Sequence, residues 1–506
     1  MKHKKNEKKK RSKKKKEPTK LNWSLLILSL VVAIIIVYYL SQPKVNNTES
    51  PNKVYEGAVL KANHSAIMLD ELAGDTNIVI SPINVINPLI AFSKVSDNNT
   101  KKEIANFLPK DIEEKSNELL KKCQPVTKSV SKEETYYAKL MTALTTYTNL
   151  TQNQFNKLST ENKNNLRLLV KKLTLTYALL TDQTTSSLDK IDGIKLTKED
   201  LNASYVTIMA NIRQIKKDYE NYQIKNQVVC LNNIYYDNTK YTILDEKLPT
   251  TLQEQNYINL IGLPFQELPS LKTINEPFKQ VSSNKVNYLL EEDELFDSSL
   301  LALGTTYFNY KWATAIDSNL TTLEEFFYQE EQSTPVDMMH TTEDLYLENT
   351  NAKGFIKNFE GDKYSFVGIL PNQFSAKVSE LNLENLLASA KADTKVDVSL
   401  PKFSFVSKTS LKKYYNLHNI NDLFNENANL NPLSANKDLY LSDVYNKNYI
   451  EIGDKGTVSS TIDDKELKSY TIDNQNKQLT FNRPFYFLIM DNETQDILLI
   501  GHFVQP

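Results

Sequence analysis

The chain has 506 residues, with 60 Lys and Arg against 62 Asp and Glu, a net charge of −2. Residues 1–20 carry 12 basic and 2 acidic groups, so the remainder holds 48 basic and 60 acidic ones, net −12. That excludes a nucleic-acid-binding body, because a polyanionic partner needs a basic face; 11 Gly and two Cys exclude collagen-like and disulfide-stapled designs.

In chain order, the basic tail (1–20) is followed by residues 21–43 without a single charge, centred on Leu25–Val37. About 20 apolar residues cross a bilayer as a helix, and Trp23 with Tyr38 and Tyr39 suits the two interfaces. The expectation is a single-pass anchor with the tail in the cytoplasm and the rest outside the cell, or a secreted protein if the anchor is cleaved. Residues 44–55 read as a polar linker.

From Glu56 the pattern is mixed. Leu60–Leu72 has helical periodicity, and Asn77–Ile80 reads as a short strand stopped by Pro82; Pro88 is expected to kink or shorten the helix after it. Residues 113–226 contain one Gly and one Pro and show three apolar helical stripes. These are Tyr137–Tyr147, Leu166–Leu180 and Leu201–Tyr222, the last begun by Thr197 and Asp200, and they predict a small helical bundle. After Gln227 strand-like runs return at Val228–Leu231, Leu300–Phe308, Tyr364–Leu370, Val396–Leu400, Tyr449–Ile452 and Pro484–Met490. Without regular βα alternation this predicts an α+β fold.

The usual catalytic and cofactor signals are missing: no His-Glu-x-x-His, nucleophile elbow, P-loop or dinucleotide fingerprint. The five His are scattered, so neither a metal nor a cofactor is expected, and the chain does not read as an enzyme. Cys123 and Cys230 lie far apart in the sequence. Whether they pair stays open.

A set of segments in a fixed order resembles the serpin family. They are Asn77–Pro82 with Asn99–Ile104, Tyr307–Trp312, Pro335–Met339, Tyr364–Pro371, Val396–Phe403, Ile450–Thr457, Phe481–Phe485 and Gly501–Pro506. The resemblance covers residues 56–112 and 227–506 and leaves the helical 113–226 as an inserted segment. It implies a serpin fold with a large central sheet and an exposed reactive-centre loop. It also implies inhibition of a serine protease, chymotrypsin-like or trypsin-like, by loop cleavage and strand insertion.

On that resemblance the loop runs from about Asp454 to Thr480, with a hinge at Gly456, Thr457, Ser459, Ser460 and Thr461. The expected reactive bond is Tyr470–Thr471, the alternative Lys468–Ser469. Asp463 departs from the family's small residues: by alternation from Thr457 it faces inward, where an unpaired carboxylate costs several kcal/mol. The sheet-opening region maps to Ser81, Asn84, Gly304 and Asn446 below Trp312. Three of the family's four polar residues there are replaced, and an Asn84–Asn446 hydrogen bond is the expected substitute. A non-inhibitory binding or adhesion protein acting through the helical segment is the other reading.

Overall fold

The structure, a computed structural model, describes residues 60–124, 131–181, 183–184, 186–223, 226–392, 394–457, 473 and 475–506. All of them belong to one unit, Val54–Pro506. The expected anchor, 21–43, lies outside the described residues, and no helix among the described residues is long and apolar enough to cross a membrane.

Helix α1 (Ala62–Leu72) and strand β1 (Ile78–Ile80) stand where the periodicity put them. Ser81 precedes α2 (Pro82–Lys94), which runs through Pro88 rather than ending there. An interior proline costs about 3 kcal/mol. Every residue from Pro82 to Phe92 is buried, so packing on all sides holds the helix despite that cost. Helices α3 (Asn98–Phe107) and α4 (Ile112–Lys122) follow, and Ile112, Leu119, Leu120 and Cys123 join the core that contains α2. The helix-rich stretch expected from residue 113 therefore opens with a helix of the main body.

Beyond it lie α5 (Lys132–Leu144), α6 (Gln152–Lys157), α7 (Thr160–Leu180), α8 (Leu188–Asp192), α9 (Lys198–Asn202) and α10 (Tyr205–Gln223). Tyr137, Leu144, Phe155, Leu166, Val170, Leu173, Ile208, Ile212 and Ile215 form a core of their own. Capping boxes at Ser131, Thr151 and Thr197 start three of these helices. One boundary differs from expectation. The Thr197 box starts the short α9, the chain breaks at Ala203–Ser204, and the long helix begins at Tyr205; Leu201 is left exposed.

Three sheets complete the fold. The six-stranded one has the order β1, β15 (Ile497–Phe503), β14 (Phe485–Asp491), β9 (Tyr364–Pro371), β8 (Ala352–Asn358) and β7 (Leu345–Glu348). The four-stranded one has β13 (Lys477–Thr480), β10 (Val396–Pro401), β6 (Gln332–Glu343) and β5 (Thr322–Gln329). The five-stranded sheet carries the site. Its order is β11 (Phe403–Ser410), β12 (Asp443–Ile452), β4 (Leu300–Asn309), β2 (Gln227–Asp237) and β3 (Ile258–Leu263).

Strand β4 reads as a continuous apolar run because both its faces are covered. Leu300, Ala302 and Phe308 enter the main core, while Leu301 and Leu303 enter a second core built with the helix Leu268–Val281.

Candidate functional site at the parted strands

Strands β4 and β12 are parallel neighbours paired only from Asp443–Leu301 to Asn446–Gly304. Above that point backbone pairing stops and side chains take over. The Thr306 N–H, which would go to a backbone carbonyl in a continuous ladder, donates to Asn448 Oδ1 at 2.8 Å. Asn448 Nδ2 donates to the carbonyl of Val79 at 3.1 Å and to Asn446 Oδ1 at 2.5 Å. Thr306 Oγ1 lies 2.8 Å from Ser81 Oγ and accepts from Asn84 Nδ2 at 3.1 Å. A buried polar cluster thus joins β4 and β12 to the start of α2.

The cluster carries unsatisfied groups. Asn232, on β2 opposite Gly304, is buried with neither its Oδ1 nor its Nδ2 hydrogen-bonded, and Asn84 Oδ1 is likewise without a partner. A buried unsatisfied polar group costs about 1–3 kcal/mol. Gly304 provides the space for these amides: a Cβ there would stand 3.0 Å from both Asn232 Oδ1 and Asn84 Cβ.

The mouth of the gap is closed by a tight turn, Gly453–Gly456, in which the two glycines exchange backbone hydrogen bonds of 2.9 and 3.2 Å. Gly456 has φ +125, and a Cβ on it would sit 2.2 Å from the Tyr310 carbonyl oxygen, so no other residue fits. Trp312 N–H donates to the Lys455 carbonyl at 2.9 Å, and its indole Nε1 to that of Gly453 at 2.8 Å. The Trp312 ring is held in turn by stacking on Phe359, with centroids 4.5 Å apart. After the turn the chain reverses. Thr457 is 4 % exposed; its N–H donates to the Tyr310 carbonyl at 3.0 Å, and its Oγ1 accepts from the Tyr310 N–H at 2.8 Å. Gly456 and Lys311 form an antiparallel bridge. Thr457 thereby pairs with Tyr310, just beyond the end of β4, in the antiparallel sense.

The chain is next described at Asp473, and Asp397 holds that end. Its carboxylate accepts from Asp473 N–H (3.0 Å), Asn476 Nδ2 (3.0 Å), Gln478 Nε2 (3.1 Å) and Thr342 Oγ1 (2.8 Å). Burial alone pushes the Asp397 carboxyl up, but these hydrogen bonds outweigh it and leave its pKa below the usual value.

A family model described as serpin (serine protease inhibitor) matches residues 148–506. The chain belongs to the serpin family. Intracellular coagulation inhibitor 2 of Tachypleus tridentatus is 24% identical over 60% of this chain and 75% of that protein. The human leukocyte elastase inhibitor is 25% identical over 61% and 84%. Among solved structures, the thermophilic serpin tengpin in its native state aligns with TM-score 0.59 at 18% identity, covering 90% of this chain and 95% of that one. Thyroxine-binding globulin in complex with thyroxine aligns with TM-score 0.59 at 16% identity, over 89% and 100%.

In this serpin Ser81, Asn84, Gly304 and Asn446 converge below the gap, while Trp312, Gly456 and Thr457 close its mouth. The expected Asn84–Asn446 bond is replaced: Asn84 gives its amide hydrogen to Thr306, and Asn446 reaches the Ser81 carbonyl at 3.4 Å. Ser459, Ser460, Thr461, Asp463 and both expected reactive bonds, Tyr470–Thr471 and Lys468–Ser469, lie outside the described residues. Sequence reasoning missed Thr306, Asn448, Asn232 and the anchor role of Asp397. The available signal was polar side chains within otherwise apolar strands, which must find partners once buried.

Proposed function

We propose that this serpin inhibits a serine protease by a suicide trap. Its loop is cut at Tyr470–Thr471, or at Lys468–Ser469 by a trypsin-like enzyme, and the freed upstream end enters the five-stranded sheet between β12 and β4. The observation carrying this reading is Thr457, already bonded to Tyr310 in the antiparallel sense that an entering strand needs. Insertion replaces the side-chain bridges of Asn448 with backbone ladder bonds on both sides, so the inserted state is the more stable one. We further place the domain outside the cell, on an anchor formed by residues 21–43.

The register from Gly456 gives the hinge a fresh meaning. Equal steps in opposite directions from the Gly456–Lys311 pair bring Asp463 beside Gly304 in the inserted strand. An inward carboxylate there meets no side chain from residue 304 and lies among the amides of Asn84, Asn232 and Asn446. Asn232 has a free Nδ2 donor. The two departures from the family, an acidic hinge residue and an amide-rich opening region, fit each other.

The test is incubation with chymotrypsin-like and trypsin-like proteases followed by a denaturing gel. A covalent complex stable to denaturant is expected with one of them; turnover of the loop as plain substrate by both contradicts the trap.

A second reading, binding through the helical segment, is favoured by a cavity of about 250 Å³ between α7, α9 and α10. Arg167, Lys171, Asp200, Val170, Ala203 and Ile208 line it. A protein acting only in this way would give no covalent complex.

A further inference from the structure

The two cysteines, open in the sequence, are brought together by the fold. Cys123 follows the last turn of α4 and Cys230 lies in β2, and both are buried, at 0 % and 3 % exposure. The Cys230 N–H donates to the Cys123 carbonyl at 2.9 Å, and the neighbouring Cys230 thiol adds to burial in raising the Cys123 pKa. A backbone hydrogen bond brings the two residues into direct contact, and a disulfide requires such close approach of their backbones. Both are free thiols in this structure.

We propose that Cys123 and Cys230 form a disulfide that staples α4 to β2 across the base of the helical segment. The six helices α5 to α10, with their separate core, leave the main body between these two residues and return to it. A bond here closes that long excursion into a covalent loop and removes much of its freedom in the unfolded chain. The staple also reaches the opening region: Cys230 Sγ lies 3.6 Å from Thr306 Oγ1, the hydroxyl shared with Ser81 and Asn84. It fixes β2, and β4 through it, against α4.

The reaction is thiol–disulfide exchange with a small-molecule disulfide as oxidant. One cysteine thiolate attacks a sulfur of the oxidant, forming a mixed disulfide and expelling one thiolate. The second cysteine thiolate attacks the protein sulfur of that mixed disulfide and expels the other. Two electrons and the two thiol protons leave the protein, and one oxidant molecule becomes two thiols. Burial pushes the Cys123 thiol well up, so little thiolate exists once the fold has closed. The bond accordingly forms as the chain folds and afterwards resists external thiols.

The test uses the full chain, unfolded in reductant and refolded in buffer with excess oxidised glutathione, then alkylated in denaturant. The expected result is no alkylated cysteine, two after reduction, and a crosslinked peptide containing both residues. C123A and C230A should each leave a single cysteine unable to form that peptide. Reduction of the oxidised wild type by dithiothreitol should be slow in native buffer and fast in denaturant, and its melting temperature should exceed that of the reduced form. Two alkylated cysteines in oxidatively refolded, cooperatively melting protein would overturn the proposal. Thiol counting is independent of protease trapping, so either reading can fail alone.

Discussion

At the scale of single residues, two positions decide how the native state is held. Gly456 closes the mouth of the gap with a backbone that side chains rarely adopt, against a carbonyl that leaves no room for a Cβ. Gly456→Ala must open the turn and release Thr457 from Tyr310. We expect a loss of about 2–3 kcal/mol in native stability by urea unfolding. Unchanged stability would show that the turn contributes nothing to closure. His502 on β15 stacks on Tyr486 with centroids 4.1 Å apart, and burial lowers its pKa to about 4. The unfolded chain, with a histidine pKa of about 6.5, binds the proton more readily than the native one. Its stabilisation is therefore complete above pH 6.5 and is lost as pH falls toward 4, by up to about 3 kcal/mol. His502→Phe keeps the stacking and removes the titration. Its urea midpoint should vary less than wild type between pH 7 and 4, and parallel curves would contradict the assignment.

At the scale of elements, the gap between β4 and β12 is the sheet position that the loop would fill in the proposed trap. If Asp463 enters beside Gly304, the free amide of Asn232 is its partner, and the two residues should be coupled. Asn232→Leu removes unsatisfied groups from the native state, so native stability should hold or rise by about 1–2 kcal/mol while loop insertion slows. Asp463→Thr should then not accelerate insertion in the wild-type background, but should restore it in the Asn232→Leu one. Insertion is followed by the change in tryptophan emission after loop cleavage; acceleration by Asp463→Thr alone would return that carboxylate to being a burden. Much at this scale was legible in the sequence. The run Leu300–Phe308 announced a strand, and the stripes at Tyr137–Tyr147, Leu166–Leu180 and Leu201–Tyr222 announced the helical segment. What stayed hidden depended on contacts between distant parts. Asn448 is an ordinary strand residue until the Thr306 N–H lacks a carbonyl, and Gly304 looked like a loss until Asn84 and Asn232 were seen to occupy its space. The break at Ala203–Ser204 escaped because periodicity carries across a short interruption. The separation of Cys123 and Cys230 in the sequence likewise gave no hint that β2 returns to the end of α4.

At the scale of the whole molecule, the native state stops short of what its chain can pair. Strands β12 and β4 share ladder bonds only at one end, and the turn at Gly453–Gly456, the Asn448 bridges and the Asp397 anchor hold the rest in place. On the proposed reading, this arrangement suits a sheet that is completed in a single irreversible movement. On the proposed reading, the +10 tail and residues 21–43 would serve placement and the −12 remainder the trap. The most direct measurement is thermal unfolding by circular dichroism before and after a single cut between Lys468 and Thr471. Our account predicts a melting temperature well above that of the intact protein once the loop has joined the sheet as a new strand. An unchanged or lower melting temperature after complete cleavage would contradict it.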